Sequence, residues 1–333
     1  MSLSAKERVK RFYSQFSNED HVLIPINADP DAIASAMAVK RLLWRKTASI
    51  TISNVNVIER PDNLALIRLT GVSLVPFNTL DLSRYTRTVM VDSQPDHHPD
   101  FQELSPAVII DHHPAGTSSK AAYTDIRPSY GAAASILVEY LRAAKIKPSA
   151  KLATALYYAI KTDTSDFERP TLMEDLNAFQ FVFRYANPVL ARRLEWAEIR
   201  RDFLKFFKLG LEVVRIRKGR AFAHLGPVVS PDACVQIADF FMHIDAVNWS
   251  IISGTHKGNL VIILRNDGIR KNAGRVAKQA FDKLGSAGGH KSAARAEVPL
   301  KALQGLVDYK DRTKLGNWIA RQIQHQAGQK RPS

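Results

Sequence analysis

Short apolar runs alternate with longer stretches of helical periodicity over the first 195 residues or so. Residues 21–26 (HVLIPI), 49–52, 88–91 and 107–110 read as buried strands, because each is a brief β-branched run bounded by polar or turn residues. Between them DPDAIASAMAVKRLLWR carries Ile33, Met37 and Leu43 among small residues, the pattern of a helix lying close on a sheet. GAAASILVEYLRAA and SAKLATALYYAIKTD read as further helices, the second introduced by Pro148 and Ser149. Strand and helix in alternation predict an α/β fold with a doubly wound, mainly parallel sheet.

From about 187 to 214 the chain turns helical and charged, with aromatic residues at Trp196, Phe203, Phe206 and Phe207. A strand (RAFAHLG), a helix after Pro231, two paired strands turning at Lys257-Gly258-Asn259 and a helix (AGRVAKQAFDKLG) then form a second, smaller α/β unit. The expected division is 1–195, a connecting helix 196–215, a second domain 216–325 and a disordered basic tail 326–333. Two cores suit a chain of 333 residues, longer than one core usually spans. The aromatics of the connecting helix serve equally to pack domains or to pair two copies in a homodimer.

Composition adds little about fold: 45% hydrophobic and 24% charged residues are ordinary for a globular protein. No stretch approaches the roughly 20 apolar residues of a membrane span, so no membrane partner and a cytoplasmic location are expected. The single cysteine, Cys234, reads as a small buried hydrophobe. Charge changes the picture more. Lys and Arg number 47 against 32 Asp and Glu, a net +15, which suits a polyanionic partner. Basic residues gather in the second half, whereas acidic residues recur around two copies of Asp-His-His-Pro, at 96–99 and 111–114.

Ligands of open parallel sheets bind beyond the carboxyl ends of the strands, which ranks the two copies. Asp111-His112-His113 follows the run 107–110 directly; Asp96-His97-His98 lies in a loop several residues past Val91. Asp92 ends the preceding strand, Asp29 and Asp31 follow the first strand, and Asp163 closes a helix. Carboxylates crowded at one sheet edge repel unless cations are present. Hard oxygens with imidazole suit Mn²⁺ or Mg²⁺, with Zn²⁺, Fe²⁺ or Co²⁺ as other divalent candidates. Two such ions can serve in-line phosphoryl displacement.

The ordered set NADPDAIAS, VMVDS, VIIDHHP and IKTDTSDF, followed by VIILRN and GSAGGHKSAAR, resembles the DHH phosphoesterase superfamily with a C-terminal DHHA1 domain. The short layout is similar to its stand-alone oligoribonuclease, pAp phosphatase and cyclic dinucleotide phosphodiesterase branch. The resemblance implies two Mn²⁺ ions bridged by Asp92, with Asp31, His112 and Asp163 around one and Asp29 on the other. It implies that His113 faces the scissile phosphate and that Asp111 orients His112. Arg265, Gly288, Gly289 and His290 would hold the substrate in the second domain. The implied reaction is hydrolysis of short oligonucleotides or small nucleotides, such as nanoRNA, cyclic or linear dinucleotides and pAp, by a metal-bound hydroxide.

One ligand is missing from the pattern. The family's first motif opens with a histidine where this chain has Pro25, and His21 should lie at the opposite strand end. His97 or His98, in the loop after Asp92, is the candidate substitute; otherwise that loop is a solvent-exposed turn. Pro25 also favours a second reading, a catalytically weakened relative that binds a nucleotide or short single-stranded nucleic acid. His224, His243 and His256 stand singly in apolar or strand-like contexts and read as structural.

Overall fold

The computed structural model describes residues 3–58, 60–117, 120–168, 171–195 and 201–328. The chain divides into two compact units, 1–198 and 199–333.

In the first unit α1 (Ala5–Tyr13), β1 (His21–Ile26), α2 (Pro30–Leu42), β2 (Ser49–Asn54), α3 (Pro61–Thr70), β3 (Val75–Pro76), β4 (Arg87–Val91), α4 (Pro99–Gln102), β5 (Val108–Asp111) and β6 (Tyr123–Ile126) precede four helices. These are α5 (Ala133–Ala143), α6 (Ala150–Asp163), α7 (Met173–Phe183) and α8 (Pro188–Glu195). The strands form one sheet in the order β3-β2-β1-β4-β5-β6, and every pairing is parallel. Strand order reverses between β1 and β4, and the crevice there is where doubly wound sheets bind ligands. Successive side chains alternate across the sheet. Val89 and Val91 enter the large core with α2, α5 and α6, while Met90 enters a smaller cluster with Phe101 of α4 and Ile109. The predicted strands and the helices 30–42, 133–143 and 150–163 are present. Helices α1 and α3 and the short strands β3 and β6 carry no long apolar run and were not expected.

Pro25 is buried in β1 and paired in register with Ser53 of β2. It has no N–H to donate. The β1 to β2 register runs from His21 to Ile26, whereas the β1 to β4 register covers Val22 and Leu23.

The second unit contains α9 (Leu204–Val213), β7 (Arg215–Arg217), β8 (Arg220–Pro227), α10 (Pro231–Phe241), β9 (Trp249–His256), β10 (Asn259–Asn266), α11 (Ala273–Phe281), β11 (Ser286–Gly289), β12 (Ala293–Pro299) and α12 (Arg312–Gly328). Its sheet runs β11-β12-β10-β9-β8-β7; β8 and β9 are parallel and the other neighbours antiparallel. Lys257 and Gly258, at φ 45° and 80°, form the two-residue turn between β9 and β10, as hairpin twist favours.

Of the expected connecting helix 196–215, residues 196–200, with Trp196, lie outside the described residues. Phe203 and Phe206 are buried with Ile237 and Phe241 of α10, so the start of this stretch contributes to the second core. The tail expected to be disordered from 326 continues α12 through Gly328, and 329–333 lie outside the described residues. Among the described residues no helix is long and apolar enough to cross a membrane.

Candidate metal centre

Asp29 is the N-cap of α2, its Oδ1 accepting the Ala32 N–H at 2.9 Å. The preceding turn is held because Asn56 both donates to the Ala28 carbonyl and accepts its N–H. Two residues on, the Asp31 oxygens accept the N–H groups of Ala133 and Ala134 at 2.7 and 2.8 Å. Asp31 therefore caps α5 from a different helix, where the orphan N–H groups and helix dipole favour an anion. Asp92, just past β4, adopts φ 53°, a left-handed conformation uncommon for a residue with a Cβ.

These elements converge on His112. Its Nε2 lies 3.2 Å from Asp163 Oδ2, 3.3 Å from Asp92 Oδ1 and 3.9 Å from Asp31 Oδ2. Its Nδ1 is 3.1 Å from the Tyr130 carbonyl, which fixes the proton on Nδ1 and leaves Nε2 facing the carboxylates. Asp111 does not orient the His112 ring, contrary to the sequence expectation. Its Oδ1 lies 2.9 Å from His113 Nδ1 and accepts the backbone N–H groups of His112 and His113. The physical reason is side-chain direction: adjacent residues project differently, and only the His113 ring turns back over Asp111.

Burial and the Asp163 carboxylate push Asp31 up to about 7. Burial, then Asp31, raises Asp92 well above the usual carboxylate range. Burial works against a charged His112, yet Asp92, Asp31 and Asp163 outweigh it and raise its pKa to about 10. Asp29 is raised by burial, with Asp163 adding to it. Burial also opposes ionisation of Asp111, but hydrogen bonds from His113 and Gln94 hold its pKa below the usual value. Its hydrogen bond to Asp111 in turn raises the pKa of His113.

Buried Asp92 Oδ1 has no hydrogen-bond partner among the described residues, although His112 Nε2 is near. An orphaned carboxylate oxygen among mutually repelling carboxylates is the arrangement a divalent cation completes. Three groups bring potential ligand atoms within 4.8 Å of one another: Asp31 with His112 and Asp163, Asp92 with His112 and His113, and His97 with Asp111 and His113. Oxygen donors with imidazole suit Mn²⁺ or Mg²⁺.

The two histidines of the first Asp-His-His-Pro separate. His97 packs edge-on to His113, ring centroids 5.3 Å apart. His98 caps α4, its Nδ1 accepting the Asp100 N–H at 3.2 Å. Among the described residues none of the three ligand groups joins either histidine to Asp29. His21 bonds Ser49 at the far end of β1. Asp166 pairs with Lys161 at the end of α6. Burial pushes Cys234 up to about 12, so it is an unreactive core thiol.

Gln94, between Asp92 and the first Asp-His-His-Pro, is a part of the site that sequence reasoning missed. Fully buried, it donates from Nε2 to Asp111 Oδ2 at 2.6 Å and to the Pro114 carbonyl at 3.2 Å, and its Oε1 accepts the Gly116 N–H at 2.7 Å. It clamps the second Asp-His-His-Pro to the strand beside it.

In the second unit, Arg265 on β10 donates to Asp239 of α10 at 2.6 Å. Gly288 and Gly289 lie on β11, paired with Arg295 and Ala294, and the His290 carbonyl accepts the Gly274 N–H at the start of α11. Gly289 has φ 145°, and a Cβ there would stand 2.4 Å from the Ala293 carbonyl. Arg265 and His290 flank opposite sides of Ala293, about 10 Å apart at two strand spacings.

Residues 21–160 match the DHH family, N-terminal domain. An uncharacterized protein of Methanocaldococcus jannaschii is 33% identical over 288 residues, 86% of this chain and 59% of the relative, so the chain spans less than two thirds of that relative's length. An exopolyphosphatase-related protein from Bacteroides fragilis is similar in structure, with TM-score 0.69 at 14% identity over 98% of this chain and 99% of that one. RecJ in complex with Mn²⁺ from Thermus thermophilus gives 0.53 at 13% identity over 98% and 55%. At these identities the two solved structures bear on fold alone.

Proposed function

From the match of residues 21–160 to the DHH family, N-terminal domain, we propose that this chain is a DHH-type, metal-dependent phosphoesterase acting on short oligonucleotides or small nucleotides. The observation that carries this reading is the convergence of Asp31, Asp92 and Asp163 on His112 at the strand-order reversal, with one buried Asp92 oxygen unpartnered.

Asp31, Asp92, His112 and Asp163 would hold one divalent cation, and Asp92 with Asp29 a second, Mn²⁺ in the leading case. When bound, such ions act as Lewis acids toward water and phosphoryl oxygen. The chain's own groups supply the rest. Asp111 keeps the His113 proton at Nδ1, so Nε2 is free to give or take a proton at the phosphate. Gln94 and the Tyr130 carbonyl fix the two rings in different orientations. Residues 216–325 would act as a DHHA1 substrate-binding domain, with Arg265 donating to phosphate after exchange from Asp239, and Gly288, Gly289 and His290 offering close backbone approach. The net +15 charge favours oligonucleotides, because each neutralised phosphate adds salt-sensitive affinity.

Pro25 supports a second reading, a nucleotide-binding module with weakened chemistry, since β1 offers no imidazole beside Asp29. The test is a panel of cyclic dinucleotide, linear dinucleotide, longer RNA, single-stranded DNA and pAp with Mn²⁺ at several salt concentrations, beside Asp92→Ala. Turnover of one class, absent in Asp92→Ala, is expected. Binding without turnover of any member promotes the second reading.

A further inference from the structure

A cavity of about 850 Å³ opens in the second unit between edge strand β7, strand β8 and α12. Arg215 pairs with Phe222 across β7 and β8, and directly opposed residues share a sheet face. Both therefore reach the cavity from the same side. Arg217, Arg312 and Arg321 also line it, against a single acidic residue, Glu212, whose carboxylate is 4.0 Å from Lys208 Nζ. Among the described residues none of the four arginines forms an ion pair.

Two features hold this charge in place. Arg215 Nη1 donates to Asn317 Oδ1 of α12 at 2.9 Å, which ties the guanidinium to a second residue of the cavity wall and spends only one of its donors. Arg312 lies over Gly226, where a Cβ would stand 2.9 Å from Nη2; the φ of 68° at Gly226 suits glycine as well. The inner wall is uncharged. Phe222 and Ile251 supply apolar surface, and His224 Nδ1 lies 2.9 Å from Ser253 Oγ, its imidazole kept neutral by burial.

A cationic rim over an apolar and neutral polar wall fits a phosphate ester attached to something flat and uncharged. Guanidinium forks take phosphate oxygens bidentately, and an aromatic wall takes a base. The volume is in the range of about 300–1,000 Å³ usual for small-molecule sites, more than a bare phosphate fills. We propose that this cavity is a second anion site for the phosphate of a nucleotide unit, free or within a single strand of nucleic acid. It is separate from Arg265. Phe222 and Ile251 pack on the α11 and α12 side of the sheet, whereas Ile263 packs with α10 and Arg265 bonds Asp239 of that helix.

The site needs no metal, so the full chain is tested in EDTA, which also separates this idea from the proposed hydrolysis. Anisotropy follows a labelled ten-nucleotide single strand, and calorimetry follows AMP. Asn317→Asp is nearly isosteric and sets a carboxylate against Arg215; Arg217→Ala alters an exposed edge residue. Each variant is expected to weaken binding about tenfold and to lower the salt dependence by about one counterion, with an unchanged melting temperature. Arg312→Lys, which keeps the charge, is expected to lose less than Arg312→Ala. Loss of AMP affinity identifies a free-nucleotide site, and loss confined to the strand identifies a backbone site. Wild-type affinity in both Asn317→Asp and Arg217→Ala, or no binding of either ligand by the wild type, overturns the proposal.

Discussion

Gln94→Met keeps the length of the side chain and removes its polar end. The wild-type amide meets Asp111 Oδ2 at 2.6 Å, the Pro114 carbonyl at 3.2 Å, the His113 carbonyl at 3.4 Å and the Gly116 N–H at 2.7 Å, with no part of the residue exposed. Methionine deprives a buried carboxylate oxygen and one N–H of these partners. Each buried group left unsatisfied costs about 1–3 kcal/mol, so destabilisation of roughly 2–6 kcal/mol follows. For a unit of this size each kcal/mol moves the melting temperature by about 2–4 °C, which places the shift of the first unit between about 4 and 24 °C. Differential scanning calorimetry of the full chain reads it directly. Gln94→Glu sharpens the test by setting a carboxylate against Asp111. One of the two must then take a proton, so the loss is larger at pH 7 than at pH 5. A melting shift under about 2 °C for Gln94→Met would refute the clamp.

Three further outcomes follow from the geometry. His97→Ala removes the ring packed on His113 and is expected to lower the rate of phosphoester hydrolysis, whereas His98→Ala removes a cap and is expected to cost about 1 kcal/mol with the rate retained; equal rates for both remove His97 from the site. His224 has its pKa lowered from 6.5 to about 4, chiefly by burial. Between those values the unfolded chain binds the extra proton, so stability present above pH 6.5 is lost as pH falls toward 4, by about 3 kcal/mol in all; His224→Gln should flatten that part of a denaturant-monitored pH profile. Gly131→Ala puts a Cβ 2.6 Å from Thr164 Cγ2, next to Asp163, and is expected to destabilise by about 1–3 kcal/mol in urea titrations.

The strands that build the reversal point were readable because parallel strands are buried on both faces and so appear as unbroken apolar runs, as in 21–26 and 107–110. β12 was not readable: in AARAEVP one face carries Arg295 and Glu297, and its apolar residues are mostly alanine. β11, ending in two glycines, gives a sequence signal of a loop. The acidic residues were legible because the ends of apolar strands and of one helix mark where they must lie, and three of them, Asp31, Asp92 and Asp163, meet around His112. Polar contacts formed across long sequence separations left no local trace. Asp31 capping α5 over a hundred residues away and Gln94 bracing Asp111 are both of this kind. The pairing of Asp111 with His113 rather than His112 depended on ring direction, which spacing alone does not give.

The central claim is that the carboxylates around His112 hold divalent cations for phosphoester hydrolysis. Calorimetric titration of Mn²⁺ into chelator-stripped wild type and Asp92→Asn, with hydrolysis of a 5′-phosphorylated dinucleotide followed in the same samples, tests it most directly. About two ions per wild-type chain, with hydrolysis rising as they bind and both lost in Asp92→Asn, is the predicted result. Hydrolysis that persists in the stripped protein, or Mn²⁺ binding unaltered by Asp92→Asn, would contradict it.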